Sequence, residues 1–153
     1  MKLRTQLYGH YEESGHVFKS CGPYIVVMKK LKDTVTNEDR ASVVDPLNAK
    51  FRGTHFMVVL IFDKMEPKYT VKQTENTIHL RDKLKYIVGE VVYANDYDHD
   101  SSKICAPGIH YFKSLEAAFY YNLGIFCNIT YQCPLYDDDG AMISETRVRH
   151  SLY

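Results

Sequence analysis

The apolar residues of this chain come in short runs, and that most limits what it can fold into. The longest run, Phe56-Met-Val-Val-Leu-Ile-Phe62, suits a buried strand. It falls far short of the roughly 18 residues of a membrane span. Other runs are just as short and rich in β-branched and aromatic residues, the composition of strands. Tyr24-Ile-Val-Val-Met28 follows a Cys-Gly-Pro turn. Lys68 to Gln73 alternates weakly, and Lys85 to Tyr93 reads as one long strand with Gly89 inside it. A glycine there implies a bulge or a close backbone approach. Ile125 to Cys133 alternates cleanly, with Asn128, Thr130 and Gln132 on its wet face.

One helix stands out, from Ser114 to about Leu123. Ser114 is a good N-cap, Glu116 sits where the helix dipole favours an anion, and Gly124 suits the C′ position. Thr36 to Arg40 is expected to begin a short second helix. The chain has 153 residues, 45% hydrophobic and 25% charged, enough for one core and without a linker or low-complexity tract. The expected fold is therefore α+β: a single compact β-rich domain over 1–153, mostly antiparallel sheet, with one main helix at about 114–123 and hairpins at both ends. The hairpins are suggested by an internal echo. Tyr11-Glu-Glu-Ser-Gly15 before an apolar stretch parallels Tyr136-Asp-Asp-Asp-Gly140 before another. In each, a glycine after acidic residues suits the positive φ of a hairpin turn.

Nineteen basic residues balance nineteen acidic ones. A neutral chain has no electrostatic footprint for phosphate backbones, so nucleic acid is not an expected partner. The balance is uneven: residues 1–95 hold 15 Lys and Arg against 11 Asp and Glu, and residues 96–153 hold 4 against 8. Opposed halves of this kind permit head-to-tail contact between copies, although a solvated surface is the plainer account. The first residues, Met1-Lys-Leu-Arg4, carry no apolar signal region, so secretion is not expected. Cysteines at 21, 105, 127 and 133 are then expected as free thiols.

Chemistry concentrates in two places. Cys105-Ala-Pro-Gly-Ile-His110 offers a thiol and an imidazole that could act as nucleophile and base, or as metal ligands. A turn launching a strand explains the same residues without chemistry. Asp96, Asp98 and Asp100 stand at i, i+2 and i+4, as in calcium loops, but Ser101 and Pro107 occupy the places where such a loop needs Gly and Glu. A weak divalent-ion site is what remains of that reading, and no cofactor is called for. The seven histidines show no metal-binding helical spacing, and no phosphate loop, dinucleotide fingerprint or nucleophile elbow occurs. Thirteen tyrosines supply amphipathic contact area. Tyr11, Tyr120, Tyr121 and Tyr136 are the candidates for an interaction surface.

Three segments taken in order carry a resemblance. Leu47-Asn-Ala-Lys-Phe51 leads into the Phe56–Phe62 run; His79 to Val92 follows; then comes Cys105-Ala-Pro-Gly-Ile-His-Tyr-Phe-Lys-Ser-Leu-Glu-Ala-Ala118. Over about 45–121 the chain resembles an uncharacterised domain family of giant DNA viruses and phages, often found beside MORN-type or pentapeptide repeats. The flanking segments, about 8–28 and 125–148, look like single degenerate MORN-type hairpins. The resemblance implies a non-enzymatic viral protein that acts by protein–protein contact, as a minor virion or capsid-associated component. Its partners would be other virion proteins or further copies of itself, with no membrane involved, in the virion or the host cytoplasm. The alternative is a small enzyme, or a ligand- or metal-binding protein, that uses Cys105 and His110.

Overall fold

The computed structural model describes residues 2–76 and 83–123, and the backbone alone over 131–136 and 142–148. The chain is α+β and β-rich, as expected. Helix α1 (Lys2–Glu13) leads into strands β1 (Val17–Cys21), β2 (Tyr24–Lys30), β3 (Lys50–Gly53), β4 (His55–Asp63), β5 (Gln73–Glu75), β6 (Lys85–Ile87), β7 (Val91–Tyr93) and β8 (Ile109–Phe112). Helix α2 (Leu115–Tyr120) follows, then β9 (Tyr131–Tyr136) and β10 (Met142–Val148). Six strands form a curled antiparallel sheet in the order β3-β8-β1-β2-β4-β7.

The alternation of side chains across β1 and β2 places residues of both strands in cores on the two faces of the sheet, so both are buried along most of their length. One face carries Val17, Val26 and Met28 into a cluster with Phe51, Phe56, Val58, Tyr86, Ile109 and Tyr111. The other carries Phe18, Ile25 and Val27 into a cluster with Phe62, Phe112 and the apolar side of α2, and Tyr8 and Tyr11 of α1 pack on it. The Tyr8 ring stacks on Phe62 at 4.1 Å, and its hydroxyl donates to the Pro67 carbonyl. Glu12 accepts the Leu115 amide at 2.9 Å, which ties the end of α1 to the start of α2.

Several local expectations change. The segment holding Tyr11 is the end of α1, not a hairpin strand. His16 N–H donates to the Tyr11 carbonyl and Gly15 N–H to that of Glu12, a Schellman closure with Gly15 at φ 75°. A helix stop and a hairpin turn both need positive φ, so the glycine signal was right and its context was not. The N-terminal hairpin lies at β1–β2 instead. Its turn is Gly22-Pro23, with Gly22 at φ 59° and Cys21 paired to Tyr24. The expected long strand over 85–93 is two strands, β6 paired with β5 and β7 with β4, because Gly89 turns the chain at φ 87°. No helix starts at Thr36; that residue bridges Gly53, and Asn37 bonds both backbone groups of Arg52, which closes the outer edge of β3.

Helix α2 keeps its expected cap, Ser114 accepting from the Ala117 amide at 3.1 Å, but ends earlier than predicted. Asn122, at φ 54°, takes the left-handed position expected of Gly124, which lies outside the described residues. The C-terminal hairpin is present as the β9–β10 pair. Its expected first half, 125–130, and its acidic turn at Asp137 to Gly140 also lie outside the described residues.

Gly15 yields a direct prediction. A Cβ there would meet no atom within 4 Å, so only the left-handed backbone opposes a side chain. Gly15→Ala is expected to destabilise by about 1–2 kcal/mol. A urea titration with an unchanged midpoint would contradict the closure described.

Candidate functional site

Strands β1 and β8 pair at Phe18 and Phe112 and then part. In the wedge between them lies a cavity of about 470 Å³. Its wall includes Lys19, Lys50, Tyr86, Cys105, His110 and Tyr121. Lys19 comes from β1, and its Nζ donates to the His110 carbonyl of β8 at 3.1 Å. That carbonyl faces the part of β1 that has turned away, and the ammonium takes the place of a ladder donor. Lys50 opens β3, and its Nζ stands 3.6 Å from Cys105 Sγ. Both lysines are less than a tenth exposed. The Tyr86 hydroxyl is buried in the same wall and has no hydrogen-bond partner among the described residues. Among the described residues, no carboxylate lines this cavity.

The electrostatics follow from burial. Burial lowers the Lys19 ammonium from the usual lysine range and the neighbouring Lys50 adds to this, while Cys21 opposes it. Burial likewise pushes the Tyr86 phenol well above the ordinary tyrosine value, so it stays protonated and can donate. A desolvated ammonium is costly unless a partner or an anion offsets it. Lys19 has a carbonyl and, at 6.0 Å, the face of Tyr86.

Cys105 and His110 thus share one cavity, as the alternative sequence reading required. They are not a dyad: the Cys105 sulfur meets Lys50, and His110 Nε2 lies 3.3 Å from the Ile104 carbonyl. Cys105 is exposed and Cys21 buried, both with free thiols.

The aspartate loop has a different centre. Arg52 is fully buried, and its guanidinium donates to the carbonyls of Lys103 at 3.0 Å, Pro107 at 3.2 Å, Asp100 at 2.5 Å and Asp98. Backbone carbonyls converge here as they would on a bound metal, but on a cation carried by the chain itself. Gly108 lets the loop close: at φ 144°, a Cβ would stand 3.1 Å from the Tyr97 ring and 3.3 Å from Arg52 Cβ. The carboxylates serve the loop. Asp96 accepts from the Tyr97 amide, Asp98 from the Asp100 amide and Lys103, and Asp100 from Ser102. The Lys103 and Ser102 hydrogen bonds hold Asp98 and Asp100 below the ordinary carboxylate value. Among the described residues, no cluster of three or more His, Cys, Asp and Glu is placed to hold a metal.

Of the candidate contact tyrosines, Tyr11 and Tyr121 pack against the second core cluster, Tyr121 with its ring 5.1 Å from Phe112. Tyr120 is half-buried, its ring edge-on to Phe119. Tyr136 lies on β9, whose side chains are outside the described set. The tyrosines that do stand out are Tyr69 and Tyr93, 58% and 63% exposed. Sequence reading passed over Lys19, Lys50 and Tyr86, since a lysine between apolar strand residues looks like one reaching solvent.

These features define a small curled-sheet α+β domain with a basic cavity where its sheet parts. No helix among the described residues is long and apolar enough to cross a membrane. The chain belongs to a family of unknown function, DUF5758, whose model matches residues 10–118. The match begins well before the expected family-like core at about 45, so β1 and β2 belong to it. No curated protein and no solved structure matches the chain.

Proposed function

We propose that this domain binds a small anionic molecule, a carboxylate or phosphate, in the cavity between β1 and β8. The observation that carries this reading is the pair of buried lysines, Lys19 and Lys50, beside the unpartnered Tyr86 hydroxyl on one wall. The cavity volume falls in the range of small-molecule sites. An anion there would offset the desolvated Lys19 ammonium, whose hydrogen bond goes to a neutral carbonyl, and accept a hydrogen bond from the Tyr86 hydroxyl. This develops the ligand-binding alternative, with Cys105 and His110 as wall residues.

Thermal unfolding in malonate, pyruvate or inorganic phosphate, against chloride at equal ionic strength, tests it. A ligand at a hundred times its Kd adds about 2.7 kcal/mol. For a domain of this size that raises Tm by about 5–10 °C. Lys50→Gln should abolish the gain. If no anion raises Tm above the chloride control, the reading fails.

A second reading is the contact protein of a virion. The sequence resemblance to viral repeat-associated domains supports it, as does exposed Tyr93 on the end strand β7. Native mass spectrometry separates the two. A discrete oligomer disrupted by Tyr93→Ser favours contact, whereas a monomer carrying added ligand mass favours the cavity.

A further inference from the structure

Resting on the anion-binding reading, we propose that Lys19 is a carbonyl-reactive amine, forming a Schiff base with a small oxo acid whose carboxylate is held by Lys50. Three features of the cavity bear on Lys19. It lies on the cavity wall and is 8% exposed, so a ligand reaches it without bulk water. Its hydrogen bond goes to a neutral carbonyl, and no carboxylate among the described residues pairs with it to fix it as an ammonium. A second cation, Lys50, lines the same cavity, the arrangement that favours a neutral, nucleophilic amine. The lowered Lys19 ammonium agrees with that placement.

Tyr86 supplies the other half of the chemistry. Its ring centre is 6.0 Å from Lys19 Nζ, and its hydroxyl has no hydrogen-bond partner among the described residues. Both residues line the same cavity, where a bound carbonyl compound would meet them. The neutral amine attacks the carbonyl carbon, a C–N bond forms, and the carbonyl π pair moves to oxygen. The Tyr86 hydroxyl protonates that oxygen and regains a proton from nitrogen, giving a carbinolamine. Loss of the hydroxyl with one further proton releases water and leaves the imine. One water leaves per imine formed, and no oxidant or reductant is required. The carboxylate of an oxo acid would lie beside Lys50 on the same wall. A neutral aldehyde lacks that hold.

The test uses the full chain with glyoxylate and sodium cyanoborohydride near pH 7, followed by peptide mapping. Each unit by which an amine pKa falls raises its neutral fraction about tenfold. Lys19, whose ammonium burial lowers, should therefore be alkylated measurably faster than exposed Lys68. Lys19→Arg keeps the cation and should abolish the fast adduct. Lys50→Gln should slow labelling by glyoxylate more than labelling by propanal, because both aldehydes lose the neighbouring cation's effect on the amine and only glyoxylate also loses a partner for its carboxylate. Wild-type mapping needs no variant to fold: if Lys19 is labelled no faster than Lys68, the proposal is overturned. Should pyruvate and malonate still raise Tm in that case, anion binding stands and only the covalent step falls. Should they also fail, both readings fall.

Discussion

Arg52→Met is expected to be the most damaging single substitution among those considered, at about 4 kcal/mol. The guanidinium satisfies four backbone carbonyls of the 96–108 segment, and its face lies 4.9 Å from the Tyr97 ring centre. Removing it leaves buried acceptors unpaired, each costing about 1–3 kcal/mol. Partial opening of the loop to water returns some of that. Against a total of about 5–15 kcal/mol, this is a large fraction of the stability. Tm should fall by about 8–16 °C. Limited proteolysis should then cut first between residues 96 and 104. Arg52→Lys should not rescue the domain, because a single ammonium cannot reproduce the planar fork. A Met variant melting within about 2 °C of the natural chain would show that the loop does not depend on this cation.

Glu38→Ala is the second large effect, expected at about 3 kcal/mol. Glu38, in the loop before β3, ties β2 to β8 and to the residue that follows it. Its Oε1 accepts from the buried Tyr111 hydroxyl at 2.6 Å and from Lys30 at 2.9 Å, and its Oε2 meets Lys113 at 2.8 Å. The two lysines are about a third exposed, so solvent screens their part. The phenol is buried, and its lost acceptor dominates the loss. Burial alone would raise the Glu38 carboxyl, but the hydrogen bonds from Lys113, Tyr111 and Lys30 outweigh it and hold the group below its ordinary value. The sign is then fixed. The folded state binds this proton less readily than the unfolded state, so the stabilisation is full above the unfolded pKa of about 4.5 and fades as pH falls below it. Stability measured from pH 6 to pH 3 should fall more steeply in the natural chain than in Glu38→Ala. Parallel slopes would contradict this role.

What could be read in the sequence was what depends on neighbours along the chain. The apolar runs of β2 and β4 and the Ser114 cap are local signals, and all appear in the structure. Helix α1 was missed because it buries no residue fully and has no acidic first turn. It is held by Tyr8 on Phe62 and by Glu12 on Leu115, contacts that a local pattern cannot show. The Cys105–His110 stretch, distinctive in the sequence, lines the cavity. The groups that give its cavity a charge arrive from β1 and β3, and only the sheet order brings them there. Arg52 shows the same limit: a lone arginine reads as surface until four carbonyls from a loop more than forty residues away close around it.

That last arrangement sets how the loop responds to its surroundings. A loop folded around a dissolved ion obeys mass action, and it loosens whenever the free ion is diluted or chelated. Arg52 is tethered to the loop by the chain, so its local concentration is a constant of the molecule. The carboxylates beside it are already committed to amides, Ser102 and Lys103. The wall that carries Cys105 and His110 is thus anchored on the side facing Arg52 by a cation that neither a chelator nor a change in divalent-ion supply can remove. Its shape is indifferent to the ionic environment that governs the calcium loops it resembles in sequence.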